Sequence, residues 1–138
     1  MSGRSFRFVV PGRPVPLARA RIVQRILPNG KRFTRGITPG KSKAYRDVIQ
    51  LCANVALSAV PFATRWPLRA TFPVALSLWI YWADENHADG DNLFKEFADS
   101  LNALLYVDDK QIVEGHFWSV VDRERPRVEV LIEEREAR

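Results

Sequence analysis

The run from Thr71 to Trp82 constrains the fold more than any other part of the chain. Val74, Leu76, Leu78, Ile80 and Trp82 alternate along it, and the positions between them are mostly apolar too. A strand that is apolar on both faces belongs at the centre of a sheet, well buried. Phe6, Phe8 and Val10 alternate as in a half-buried strand, until Pro11-Gly12-Arg13-Pro14-Val15-Pro16 stops it. Beyond that point, arginines lead to the turn signal Pro28-Asn29-Gly30, after which Lys31 to Thr34 can return as a hairpin partner. Residues 11–42 are therefore expected to form a basic arm or hairpin.

Two helices are expected. From Lys43 to Leu57, the residues Ala44, Tyr45, Val48, Leu51, Cys52, Val55 and Ala56 recur at helical spacing. From Asp91 to Leu105, the inward set is Leu93, Phe94, Phe97, Leu101, Leu104 and Leu105, while Asp91, Lys95, Asp99 and Asn102 follow the polar face. Gln111 to Val121 and Arg127 to Ile132 read as two final strands around a turn at 122–126. This order describes an α+β fold with a mixed or antiparallel sheet packed against two main helices. With 138 residues and 46% hydrophobic content, one domain spanning 1–138 is expected.

Charge divides the chain. Residues 1–70 carry fourteen Lys or Arg against Asp47 alone, whereas 71–138 carry seven against fifteen acids. Basic asymmetry of this size favours a polyanionic partner. Nucleic acid suits it better than membrane, because no stretch approaches the roughly 18 apolar residues of a span. The charged N-terminus leaves no room for a signal peptide's apolar region, so a cytoplasmic protein is expected. Cys52, the single cysteine, reads as a small hydrophobe. His87 and His116 lack zinc-ligand spacing.

The chemistry is carried by carboxylates. Asp89 and Asp91 open the second helix, and Asp108 and Asp109 follow its end. Capping accounts for Asp91 and turn formation for Asp108 and Asp109, if each pair is taken alone. If the pairs converge, four carboxylates repel one another unless a cation joins them. Oxygen ligands of this kind suit Mg²⁺, with Mn²⁺ as an alternative. Such a site hydrolyses phosphodiesters. Lys95, one turn after Asp91, is either an exposed helix pair or a stabiliser of phosphate charge.

Taken together, Asp89-x-Asp91-Asn92-x-x-Lys95, then Asp99-x-Leu101-Asn102 and Asp108-Asp109-x-Gln111-Ile112, resembles the RusA family of Holliday junction resolvases. The core of the resemblance covers 89–112. Weaker similarity extends to the opening strand with Gly12-x-Pro14-x-Pro16, the start of the first helix and the terminal strand pair. By that resemblance Asp89, Asp91, Asp108 and Asp109 bind Mg²⁺ or Mn²⁺, and Lys95 assists catalysis. It also implies an α+β homodimer, often encoded by phages or prophages, that cuts four-way DNA junctions by paired nicks in recombination and repair. Arg13, Arg19, Arg21, Arg25, Lys31, Arg32, Lys41 and Lys43 are the DNA-contact candidates. Two positions depart from the family pattern. Asp84 and Glu85 stand where basic residues often precede the first motif, and His116 is the nearest candidate for a further lysine on the strand after Gln111. The alternatives are a less selective branched-DNA nuclease and a non-catalytic junction-binding protein with a structural cation site.

Overall fold

The computed structural model describes residues 3–16, 21–26, 32–37 and 40–136, with the backbone alone described for 21–26, 32–37 and 40–42. Six strands and two helices follow in the order β1 (Ser5–Pro11), β2 (Arg21–Ile26), β3 (Arg32–Ile37), α1 (Gly40–Ala59), β4 (Val74–Trp82), α2 (Gly90–Ser100), β5 (Ile112–Val121) and β6 (Arg127–Glu134). The main sheet runs β1-β6-β4-β5 and is mixed: β6 is antiparallel to both β1 and β4, and β5 is parallel to β4. β2 and β3 form a separate antiparallel hairpin with Gln24 opposite Thr34. The turn signal itself, Pro28-Asn29-Gly30, lies outside the described residues.

The apolar run becomes an interior strand. Val74, Leu76, Leu78, Ile80 and Trp82 are buried in β4. They share one core with Phe6, Phe8 and Val10 of β1 and Val128, Val130 and Ile132 of β6. Trp79 and Tyr81 are only half-buried. Their shelter comes from neighbouring side chains: Trp118 stacks on Trp79 at 5.0 Å, and the Arg127 guanidinium lies 3.7 Å from the Tyr81 ring centroid.

α1 packs against β1 and α2, and α2 packs against β4 and β5, so both helices cover one face of the sheet. The buried stripe of α1 is Tyr45, Ile49, Ala53 and Leu57, with Cys52 and Ala56 partly buried. Val48, Leu51 and Val55, expected inside, are exposed. Two overlapping apolar stripes run along this helix, and periodicity alone does not choose between them. Tyr45 packs edge-on against Phe97 of α2, and Ile49 and Ala53 join the same buried core.

α2 ends at Ser100, short of the expected Leu105. Ala103 takes a left-handed φ of 61° and breaks the helical path without the glycine that commonly marks such a stop. Leu105 and Tyr106 are still buried. The Leu105 carbonyl accepts from Trp66 Nε1 at 2.7 Å, and the Tyr106 hydroxyl donates to the Ala98 carbonyl at 2.6 Å. The apolar periodicity thus continues through a turn that is held by hydrogen bonds.

Candidate active site

The parallel pairing of β4 with β5 positions the carboxylates. β4 runs upward to Trp82, α2 returns, and β5 starts again level with Val74, where Ile112 lies opposite it. Asp89 and Asp91 therefore stand at the head of α2, and Asp108 and Asp109 stand beyond its foot. Eleven helical residues at 1.5 Å each separate them by about 16 Å. Among the described residues, no three His, Cys, Asp or Glu side chains are placed to hold a metal ion. The four carboxylates do not converge in one pocket of this chain. The physical reason is that the strand after Asp109 runs parallel to β4, which leaves Asp108 and Asp109 at its start.

At the head, Asp89 is the N-cap residue with extended backbone, and its side chain makes no cap bond. Among the described residues, Asp91 Oδ1 accepts only from the adjacent Asn92 amide, at 2.9 Å. Capping does not occupy these side chains. Both lie where the positive end of the helix dipole favours anionic groups. A Cβ at Gly90 would sit 2.5 Å from the Phe117 ring, so a larger residue here forces that ring aside. Asp91 borders a small cleft of about 130 Å³ together with Phe94, Gly115 and Phe117. A larger hollow of about 490 Å³ lies elsewhere, around Pro11, Gly12 and Arg125, and no candidate carboxylate lines it. Lys95 is exposed and forms no ion pair among the described residues, so the surface-pair reading of it is not realised.

At the foot, the carboxylates do structural work. Asp108 caps the 3-10 turn Asp109–Gln111, accepting from the Lys110 amide at 2.9 Å, while Gln111 Oε1 accepts from the Asp108 amide at 2.9 Å. Gln111 Nε2 in turn donates to the carbonyls of Ala70 and Phe72, tying the turn to the segment before β4. The Lys110 amide, chiefly, holds the Asp108 carboxyl below its usual range. Burial, and then the Asp108 carboxyl, push Asp109 upward. Asn102 Nδ2 donates to Asp109 Oδ2 at 3.5 Å, and the neighbouring Asp99 carboxyl adds to the upward push on Asp109. Asp99 and Asn102 thus belong to this cluster. Their signal in the sequence was the polar stripe Asp91, Lys95, Asp99, Asn102 along α2.

The two departures resolve differently. Asp84 is neutralised by Arg13 at 3.1 Å and Glu85 by Arg123 at 3.4 Å. Arg13, a DNA-contact candidate, is therefore already engaged. His116 bonds Glu114 at 2.9 Å and stacks on Trp118. Its neighbours Gly115 and Phe117 are the residues that meet α2, so His116 points to the opposite face of the sheet, away from Asp91. Lys43 is exposed at the start of α1. The side chains of Arg21, Arg25, Arg32 and Lys41, and all of Arg19 and Lys31, lie outside the described residues.

A family model described as endodeoxyribonuclease RusA matches residues 11–133. The chain belongs to the RusA family. It is also 30% identical over 152 residues to the uncharacterized protein YqaN of Bacillus subtilis (strain 168), covering 93% of this chain and 95% of that protein. RusA proteins are endonucleases of Holliday junctions, and the mixed four-stranded sheet with two helices agrees with the RusA fold. No helix among the described residues is long and apolar enough to cross a membrane.

Proposed function

We propose that this RusA protein is a Mg²⁺-dependent, structure-selective endodeoxyribonuclease that resolves Holliday junctions by paired phosphodiester hydrolysis, acting as a cytoplasmic homodimer in recombination and repair. The observation that carries the reading is the head of α2. Asp89 and Asp91 sit there exposed, without cap bonds, in the motif of a nuclease family.

The donor set is entirely carboxylate oxygen, which suits Mg²⁺ or Mn²⁺. One protomer holds its two pairs at opposite ends of α2, so the four meet only across a two-fold axis that sets two α2 helices antiparallel. Asp89 and Asp91 of one protomer then face Asp108 and Asp109 of its partner. A four-way junction calls for two symmetric cuts, and an isologous dimer supplies two such sites. A divalent ion bound there would lower the pKa of a water and stabilise charge on the phosphorus oxygens. Lys95, one turn from Asp91 and without an ion pair among the described residues, neutralises the phosphate under attack. The cationic half, including Lys43, Lys41 and the arginines of the hairpin, holds the flanking phosphates, so affinity falls steeply with salt.

The test is cleavage of a labelled four-way junction in Mg²⁺ by wild type and Asp91→Asn, with fork and linear duplex controls. Symmetric nicks confined to the junction and absent in the variant are expected. Binding without cleavage in Mg²⁺ and Mn²⁺ would overturn the reading, and equal cutting of the controls would reduce it to a general branched-DNA nuclease.

A further inference from the structure

Six residues carry the chain from Trp82, the last residue of β4, to Asp89, which enters α2 with no side-chain cap bond to fix it. The first half of this connection is fastened at the surface. Asp84 accepts from the Asn86 amide at 3.0 Å and from Arg13 at 3.1 Å, and Glu85 pairs with Arg123 at 3.4 Å. Exposed ion pairs of this kind contribute little, and they hold nothing beyond Asn86. From there to Asp89, the directional contacts among the described residues are those of His87. Its imidazole lies flat on the Trp82 indole, with ring centroids 4.4 Å apart and planes 6° from parallel. Its Nδ1 stands 2.8 Å from the Ala88 carbonyl oxygen. A carbonyl only accepts, so Nδ1 carries the proton of that bond.

Both contacts bear on Asp89. The Ala88 carbonyl and the Asp89 amide nitrogen belong to one planar peptide unit, so fixing the first fixes the plane from which Asp89 starts. The stack ties that unit to an immobile platform. Trp82 is buried in the core, its carbonyl accepts from the Asp122 amide at 2.8 Å, and it lies opposite Val121 in the pairing with β5. On the other side of Asp89, Gly90 lies against the Phe117 ring. The residue is thus bracketed by two ring contacts, one resting on β4 and the other on β5. His87 itself is exposed, so the core does not depend on it.

We infer that His87 is a positioning residue for Asp89, its stacked ring holding the backbone that presents the carboxylate to a divalent ion. This rests on the metal-dependent reading proposed above and adds a residue that steadies one of the ligands. Groups that orient metal ligands from behind typically account for about ten- to a hundredfold in metal affinity. Of the two contacts the stack carries more, because the bond is open to competing water while the ring covers apolar surface. A flat ring without a donor at this position therefore keeps most of the effect.

The experiment compares the whole chain as wild type, His87→Ala and His87→Phe. Without metal, the amide order parameter at Asp89 should fall from about 0.85 to below about 0.6 in His87→Ala and recover in His87→Phe, which keeps the stack. Mn²⁺ affinity, read by electron paramagnetic resonance, should weaken about tenfold in His87→Ala and return in His87→Phe. Junction cleavage should follow the Mn²⁺ affinity, with the melting temperature nearly unchanged. A rigid Asp89 in His87→Ala would overturn the positioning role and leave the junction nuclease standing. So would loss of cleavage in both variants at wild-type Mn²⁺ affinity, which would put the imidazole on the DNA instead. Wild type that neither binds Mn²⁺ nor cuts junctions would overturn the nuclease reading, and with it the ligand that His87 serves.

Discussion

At the head of α2, the described residues give Asp89 and Asp91 no structural task beyond a bond to the Asn92 amide. At its foot, Asp108 caps a turn, and Asp109 accepts from Asn102. Among the described residues, the same side chain is thus unengaged at one end and part of the scaffold at the other. An acid with no structural task can be lost without cost to the fold, so its presence points to chemistry. An acid that caps a turn is explained by the turn, and only its relation to the other end gives it a second role.

Mixing inactive variants would break or sharpen this comparison most. Asp91→Asn and Asp109→Asn should each lower junction cleavage about a thousandfold, the several kcal/mol of charge stabilisation that a metal site supplies. Asp91→Asn should leave the melting temperature nearly unchanged, because the side chain is exposed. When the two variants are mixed and allowed to exchange, half the dimers are mixed, and each of these has one intact site and one doubly altered site. Roughly a quarter of all sites should recover, as single nicks rather than resolved junctions. No recovery, despite exchange, would place both acids in one protomer's site.

Much of this arrangement was legible in the sequence and a decisive part was not. The alternation in Phe6, Phe8, Val10 and in β4 located both strands, because burial on one or both faces leaves a period of two. The motif residues Asp89, Asp91 and Lys95 are named by family resemblance, and no periodicity points to them as a site. The parallel direction of β5 was not legible, since its composition is the same whichever way it pairs, and that direction separates the acids. The end of α2 was also hidden. Leu104 and Leu105 continue the helical period, while Ala103 leaves the helix under the pull of the bonds that Leu105 and Tyr106 make.

The orientation of α2 depends on α1 through a buried acid. Glu96 is fully buried, and Arg46 Nε reaches its Oε1 at 3.4 Å, while the Ser100 hydroxyl donates to it at 3.3 Å. Burial pushes the Glu96 carboxyl upward, and Arg46 opposes that shift. Arg46→Met should cost about 2 kcal/mol at neutral pH, below the full value for a buried pair because Arg46 is itself partly exposed. A carboxyl whose pKa is raised by folding costs stability above its unfolded pKa, and the cost is relieved as pH falls and the group protonates. Removing Arg46 raises it further, so the gap from wild type should narrow between pH 8 and pH 5 in urea titrations. A gap that widens on acidification would show that Arg46 stabilises α2 by packing rather than by charge.

The smallest effect separates the two ends of α2 directly. Asp108→Ala removes the bond to the Lys110 amide and half of the reciprocal cap with Gln111, and should destabilise the fold measurably. Asp89→Ala removes no cap bond and gives up only the dipole interaction of an exposed carboxylate, a few tenths of a kcal/mol. Both should abolish cleavage, so matched denaturation curves on two equally inactive proteins isolate the structural difference. Equal losses of stability would mean that Asp89 caps α2 in solution, and its assignment to the metal would then rest on the family motif alone.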